Sequence, residues 1–192
     1  MVTIPSRPTV KLNASLGIVI SGNDTLALTG GFGSINLSGF TGTLSNTART
    51  IYGNLTMPAS GGTFTAGTNA TTFGATSGTK TITSSGRTLD FPITFNGAGG
   101  SWTLQDNFTF GTTLTTTLTA GTLALGTFTY TTGLFASSGS TARTINFGTG
   151  ATNGIVIGQN TNSPSANTTI QSQLRVLNNA NIQSNLYVFN SI

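Results

Sequence analysis

The stretch Thr47-Ala48-Arg49-Thr50-Ile51-Tyr52-Gly53 recurs as Thr141-Ala142-Arg143-Thr144-Ile145-Asn146-Phe147-Gly148, with one more residue before the final glycine. A third, shorter copy of the motif stands at Arg87-Thr88-Leu89. The intervals from Arg49 to Arg87 and from Arg87 to Arg143 are close to two and three units of about 19 residues, a length typical of repeat architectures. The repeated frame therefore predicts a chain built from stacked units.

Strand-like segments fill the intervals between the three motifs. Short apolar runs interrupted by Gly, Ser or Asn occur early in the chain, and steps of the same length reach similar runs later, at residues 17–20, 25–28, 34–37, 70–74, 108–111 and 127–130. Thr, Val, Ile and Phe favour strands, whereas the helix-forming residues Glu and Lys are nearly absent. The sequence therefore predicts an all-β fold.

The turns between these strands decide between two all-β architectures. Short strands joined by Gly, Ser and Asn turns at one period are typical of a parallel β-solenoid. A β-sandwich or jelly roll also has short strands at regular spacing and is the alternative. Asn-Gly, the dipeptide of tight hairpins, occurs only at Asn96-Gly97 and Asn153-Gly154. The scarcity of hairpin signals favours the parallel solenoid.

Composition divides the chain into four segments. Residues 1–15 are predicted to form an extended N-terminal arm, because prolines lack the donor that a central strand needs. Residues 16–158 form the β-repeat domain, and 159–167 form a linker rich in Asn, Ser and Thr. Residues 168–192 contain a second repeat, of 12 residues, and are predicted to be fibrous.

The 12-residue repeat is close to identical in its two copies. Residues 170–178 match residues 182–190 at six of nine positions, and the leucines and valines alternate as they do in strands. So narrow a strip cannot bury its own apolar side chains, so it needs partner chains or the preceding repeats. Ile192 stands partway through a repeat, and we expect the natural chain to continue beyond it.

Charged residues are so few that they exclude most catalytic chemistry. Ten of the 192 residues are charged, with three Asp, no Glu, no His and no Cys. Zinc sites of the usual kind, Ser-His-Asp triads and disulfides are thereby excluded. We therefore expect no enzyme activity, no catalytic residues, no metal and no cofactor.

A pair of carboxylates is the one catalytic device left open, since glycosidases use two of them. The candidates are Asp24, Asp90 and Asp106. Asp90 follows Arg87 by three residues and is expected to pair with it, and Asp106 suits a turn before a strand. The structural interpretation is favoured for both.

The arginines of the repeated motif, Arg49, Arg87 and Arg143, are the candidate binding residues. A column of guanidinium groups on one face would bind anionic glycan or lipopolysaccharide phosphate. The structural alternative, which is favoured, places each arginine at a corner where it caps backbone carbonyls and packs its aliphatic stem. All seven basic residues are scattered singly along the chain, so we expect no nucleic-acid partner. No apolar run approaches the length of a membrane span, so we expect no membrane partner.

Aromatic residues are expected in the core. The chain has twelve Phe, and interior ladders explain them better than an exposed binding stripe. The predicted core includes Phe91, Phe95, Phe108, Phe110 and Phe147.

Three stretches carry a resemblance to a known class of proteins. Residues 140–148, with residues 100–107 and 118–123, resemble repeat-rich virion proteins of tailed bacteriophages. Residues 183–190 resemble the repetitive shafts of phage tail fibres, which are commonly homotrimers. A weaker similarity connects the Thr/Gly-rich repeats to bacterial β-repeat adhesins.

The resemblance implies a function as well as a fold. It implies a non-enzymatic structural component of a phage virion, most simply a tail fibre or spike used in host attachment. Its implied partners are two further copies of the chain in a homotrimer, other virion proteins and a host-surface glycan, and its implied location is the virion. A glycan-binding or glycan-cleaving adhesin and a capsid decoration protein are the alternatives.

Overall fold

The fold is described here from a computed structural model of the chain. The structure describes residues 17–111, 113–138, 140–149 and 154–157, together with the backbone of three outlying strands at 2–3, 10–11 and 168–171. The described residues contain no helix. Their strands, in chain order, are Val2–Thr3 (β1), Val10–Lys11 (β2), Ile18–Gly22 (β3), Thr25–Leu26 (β4), Leu28–Phe32 (β5), Ile35–Phe40 (β6), Thr43–Leu44 (β7), Arg49–Ile51 (β8), Leu55–Thr56 (β9), Thr63–Phe64 (β10), Thr71–Phe73 (β11), Gly78–Thr83 (β12), Thr88–Leu89 (β13), Ile93–Leu104 (β14), Phe108–Phe110 (β15), Thr115–Ala124 (β16), Thr129–Thr132 (β17), Leu134–Ala136 (β18), Arg143–Asn146 (β19), Gly154–Ile157 (β20) and Thr168–Gln171 (β21).

The described strands pair in parallel throughout, and the chain winds through three faces in each turn. Face 1 contains β1, β3, β6, β9, β12, the C-terminal parts of β14 and β16, β19 and β21. Face 2 contains β4, β7 and β10, followed by β13, β15, β17 and β20. Face 3 contains β2, β5, β8, β11, the N-terminal parts of β14 and β16, and β18. The protein is thus a three-sided parallel β-solenoid, which confirms the predicted fold class and excludes the antiparallel β-sandwich.

In-register stacking builds the core as ladders of like side chains. On face 3, one inward ladder runs through Phe32, Ile51, Phe73, Phe95 and Leu118. The rings of Phe73 and Phe95 stack with centroids 5.1 Å apart. The five phenylalanines predicted for the core are all buried. Aromatic rings in this stacked arrangement add to the stability that their burial gives.

The turns differ in length although the strands stay in register. On face 1, Ile18 pairs with Ile35, whereas Leu55 pairs with Ile82, so the second pair is much further apart in sequence than the first. The predicted unit of about 19 residues therefore describes the turns only loosely. The extra residues of the longest turn lie in its connections, such as the non-strand residues 57–62. Packing in the core constrains the inward side chains of the strands, whereas the connections between strands can vary in length.

Two long strands bend from face 3 into face 1 without a loop. β14 pairs with β11 through its first residues and with β12 through its last, and its register with β16 shifts between Phe95 and Ser101. Glycines occupy this corner. A Cβ on Gly121, which has φ +89°, would lie 2.8 Å from the carbonyl oxygen of Gly100. The sharp corner therefore requires glycine, both for its backbone angle and for the closeness of the next turn.

The outward side chains of face 3 are mostly threonines in register. Thr50, Thr72, Thr94 and Thr117 follow one another on adjacent strands, and each is partly exposed. β-Branched threonine suits a pleated, half-exposed surface. This column of four threonines is uncharged and rich in hydroxyl groups.

The segments predicted on either side of 16–158 are described only in part. Strands β1 and β2, from the segment 1–15, pair with β3 and β5. Strand β21, from the segment 168–192, pairs with β19. The described strands therefore extend the solenoid ladders beyond 16–158 in both directions. The linker 159–167 and the second copy of the 12-residue repeat lie outside the described residues.

Candidate functional site

The three candidate arginines lie on three different faces. Arg49 begins β8 on face 3, Arg143 begins β19 on face 1, and Arg87 precedes β13 on face 2. Unequal turn lengths explain the separation, since equal spacing in sequence does not return to the same face. The structure therefore does not bring the three guanidinium groups into one column. An anion-binding role for these arginines stays a prediction.

Arg49 points inward and is only 5% exposed. Its Nε donates to the carbonyl oxygen of Thr47 at 3.1 Å, and its Nη2 donates to that of Ser45 at 2.9 Å. The guanidinium carbon lies 5.5 Å from the centroid of the Phe91 ring, a cation–π distance. Burial lowers the pKa of Arg49 to about 10, so the group still carries its charge at neutral pH.

Arg143 is also inward-facing, at 2% exposure. Its Nε donates to the hydroxyl of Ser137 at 2.6 Å, and its Nη1 donates to the carbonyl oxygen of Thr141 at 2.6 Å. The Ser137 hydroxyl in turn donates to the carbonyl oxygen of Leu118 at 3.2 Å. Burial lowers the pKa of this guanidinium from its ordinary value. Arg143 thus ties its own corner to the neighbouring turn.

Arg87 holds a loop of the preceding turn. Its Nε donates to the carbonyl oxygen of Pro58 at 2.9 Å, and its Nη2 donates to that of Gly61. Ser85 assists by donating from its hydroxyl to the carbonyl oxygen of Met57 at 3.0 Å. The side chains of two nearby residues in one turn therefore fix the loop at 57–62 in the turn before.

The repeated frame has a common local geometry even though its copies lie on different faces. Arg49 and Arg143 each donate to the carbonyl of the residue two positions earlier, which is Thr47 in one copy and Thr141 in the other. Each arginine therefore satisfies carbonyls at the corner that leads into its own strand. This geometry matches the structural alternative of arginines capping carbonyls.

The three aspartates are separated by the architecture. Asp106, before β15, accepts hydrogen bonds from the backbone amides of Ser84, at 2.8 Å, and Ser85. Asp90 lies against Gly111, which follows β15. Strand β15 lies between the two positions, and its three extended residues alone span about 10 Å. Glycosidase carboxylates stand about 5–9.5 Å apart, so Asp90 and Asp106 do not form such a pair.

The predicted ion pair between Arg87 and Asp90 does not form. Arg87 uses its donors on the Pro58 and Gly61 carbonyls, and the two side chains make no ion pair within the described part of the chain. Asp24 is exposed at a corner.

Among the described residues, no group of three or more metal-ligating side chains occurs, and no helix suited to crossing a membrane is found there.

A polar network inside the core was not predicted from the sequence. The hydroxyls of Thr116 and Tyr130 lie 2.6 Å apart, and Thr116 is also 3.1 Å from the Thr132 hydroxyl. All three residues are fully buried. Burial raises the pKa of Tyr130 well above its usual value, although the hydrogen bond with Thr116 acts in the opposite direction. The inward position of Thr116 in the alternation of β16 was the available signal.

One large apolar side chain stands out on the described surface. Tyr52 is 43% exposed, and its ring edge lies over Gly74 of the next turn. It follows Thr50, the first residue of the face 3 threonine column.

Comparisons with protein-family models, with curated proteins and with solved structures each found no match to this chain.

Proposed function

We propose that this chain is a non-enzymatic structural component of a tailed-phage particle, most simply a fibre or spike that takes part in host attachment. The observation that carries the proposal is the parallel strand pairing that continues from one turn to the next along the described chain. At about 4.8 Å between neighbouring strands, the nine stacked strands of face 1 form a rod roughly 38 Å long whose inter-strand hydrogen bonds run along its axis. Such a rod transmits load without needing charged groups.

The charged groups themselves support a mechanical role. The guanidinium groups of Arg49, Arg87 and Arg143 bond backbone carbonyls, and Asp106 bonds backbone amides. Few ionisable groups remain for acid–base chemistry. We therefore assign no catalytic step to this chain.

The proposed assembly is a homotrimer that contacts other virion proteins. The uncharged threonine column of face 3 supports this, because surfaces without charge can approach one another with little electrostatic penalty. Sedimentation of the full chain tests the assembly. A mass three times that of the 19.5 kDa chain is expected, and a monomer at all concentrations would contradict the trimer.

The position on the particle tests the role itself. Antibody raised against the full chain should label tail appendages of intact particles. Label spread over the capsid would replace the fibre by the decoration-protein alternative. Purified particles without the chain would overturn the proposal altogether.

A glycan-binding adhesin is the second candidate, and one observation favours it. Tyr52 is an exposed aromatic ring beside the threonine column of face 3. Sugar rings pack on aromatic faces while hydroxyls of the protein supply hydrogen bonds. Tyr52→Ala should weaken binding of the chain to host-surface glycan at least tenfold. The control is Thr79→Ala, at an exposed position on face 1, which should bind as the unaltered chain does.

A further inference from the structure

The outer surface of face 3 carries no charge between β5 and β18. The strands of this face contain one charged residue in that range, Arg49, which points inward and is 5% exposed. The next charged residue along the face is Lys11 of β2, beyond β5. The partly or fully exposed charged side chains of the described chain lie on or beside the other two faces, namely Asp24, Lys80, Arg87, Asp90 and Asp106.

Small side chains cover this charge-free surface. Its central column consists of the four threonines in register, Thr50, Thr72, Thr94 and Thr117. Two positions before the first three threonines, on the same side of the chain, stand Ala48, Ala70 and Pro92, each at least partly exposed. We call these three residues the alanine edge. Short side chains in two adjacent columns allow another surface to approach face 3 closely.

The opposite edge of face 3 carries a large side chain. Tyr52 stands two positions after Thr50 and is 43% exposed, with its ring over Gly74 of the next turn. Aromatic residues are enriched in protein–protein interfaces, and charged residues are depleted at the centre of such interfaces. Face 3 therefore has the composition of a contact surface between proteins.

The spacing of the turns identifies the partner. Neighbouring threonines of the column are about 4.8 Å apart, because this is the distance between paired strands. A partner can place a side chain in every gap of the column only if its own side chains repeat at the same interval. A second copy of this chain, lying alongside with its axis parallel, has that interval. Sheets with a common repeat can interdigitate their side chains in this way.

We propose that copies of this chain pack against one another through face 3, with the threonine column turned toward the axis of the trimer. The inference rests on the homotrimer of the proposed function and names its interface. In a ring of three, the Tyr52 edge of one copy meets the alanine edge of the next. The small side chains of Ala48 and Ala70 leave room for the ring. Tyr52 is then covered in the assembly and is not a platform for glycan.

A charge in the centre of face 3 tests the interface. Thr72→Arg should raise the concentration at which the trimer dissociates about a hundredfold, because like charges from three copies repel one another there. Sedimentation of the full chain measures this concentration. The matched control is Thr109→Arg, at the middle of a three-residue strand of face 2 with the same burial pattern. It should leave the dissociation unchanged.

The outcomes separate the interface from the assembly. A trimer that withstands Thr72→Arg would overturn the assignment of face 3 and leave the homotrimer intact. Dissociation caused by Thr109→Arg alone would place the contact on face 2 and would also overturn it. A monomeric unaltered chain would contradict the homotrimer itself, and with it the interface.

Cysteine labelling tests the same surface without adding a charge. The chain has no cysteine, so Thr94→Cys and Thr109→Cys each introduce a single thiol at a partly exposed position. In the trimer a bulky maleimide should modify Thr94→Cys about tenfold more slowly than Thr109→Cys, because it reaches the former only when the copies separate. Adding Thr72→Arg to Thr94→Cys should restore fast labelling. Equal rates for the two single variants would refute the proposal.

Discussion

The phenol oxygen of Tyr130 lies 2.6 Å from the hydroxyl oxygen of Thr116 in the interior of the solenoid. The two residues come from different faces, since Thr116 lies on β16 of face 3 and Tyr130 on β17 of face 2. The contact therefore joins two walls across the core. Both side chains are fully buried, so the Tyr130 hydroxyl depends on Thr116, whose hydroxyl also bonds that of Thr132.

Replacing Thr116 by valine should destabilise the fold by about 1–3 kcal/mol, because the buried Tyr130 hydroxyl then has no partner. The measurement is the free energy of unfolding in urea. Thr117→Val, at the next and outward position, is the control and should change it by less than about 0.5 kcal/mol. In the double variant with Tyr130→Phe the loss should be smaller than the sum of the two single losses, because both hydroxyls are gone. Additive losses would show that the contact has no energetic role.

Tyr130 should also make stability depend on alkaline pH. Burial raises its pKa above the unfolded value of about 10. Above that pH the unfolded chain releases a proton that the folded chain retains, so the contribution of Tyr130 is complete below about pH 10 and is lost as the pH rises beyond it. Urea midpoints measured up to about pH 11 should fall more steeply for the unaltered chain than for Tyr130→Phe.

Arg49 acts with the opposite sign in that range, because burial lowers its pKa to about 10 and the unfolded state then holds more protons. Arg49 is present in the unaltered chain and in Tyr130→Phe, so the difference between their pH profiles isolates the contribution of Tyr130. Parallel pH profiles would contradict the assignment.

Gly121→Ala should be strongly destabilising, by at least about 3 kcal/mol. The new methyl group would meet the Gly100 carbonyl oxygen at 2.8 Å and Cζ3 of Trp102 at 2.9 Å, and the residue has φ +89°. The control is Gly86→Ala, which has φ +74° and open space around the added carbon. It isolates the backbone penalty, about 1–2 kcal/mol. Equal losses in thermal unfolding would show that close stacking of the corner is unimportant.

Asp106→Asn should cost about 1–3 kcal/mol, because an amide group has one acceptor oxygen for the two backbone amides, of Ser84 and Ser85, that the carboxylate now serves. Asp24→Asn, at an exposed corner, should leave the unfolding midpoint nearly unchanged. The same pair of variants bears on catalysis. If the chain cleaved a host glycan and Asp106→Asn abolished cleavage without loss of stability, the structural role of this carboxylate would be wrong.

Much of the architecture was predictable because it depends on local patterns. The alternation of apolar and polar residues, the near absence of Glu and Lys and the recurring frame around Arg49 and Arg143 are all local features of the strands. The buried phenylalanines were predictable for the same reason. Such a pattern predicts that the strands stack and which of their side chains point inward.

The faces on which the motifs lie were not predictable, because turn length is not set by the strands. Leu55 and Ile82 are register partners although the chain between them is much longer than the chain between Ile18 and Ile35, which are also register partners on face 1. The inward position of Arg49 was nevertheless open to inference, because it alternates with Thr50 and shares the side of Ile51. The charge of Arg49 favoured a position at a corner, whereas the alternation of the strand also indicates that its side chain points inward.

The unequal turns have an evolutionary consequence. A residue inserted at a corner changes the contour of the outer surface and leaves the order of the core ladders intact, because register is transmitted between strands and not along the chain. The loop at 57–62 consists of such additional residues at a corner, and Arg87 and Ser85 of the next turn fix it in place. New recognition sequences can therefore accumulate at the corners of such a rod while selection on its interior continues unchanged.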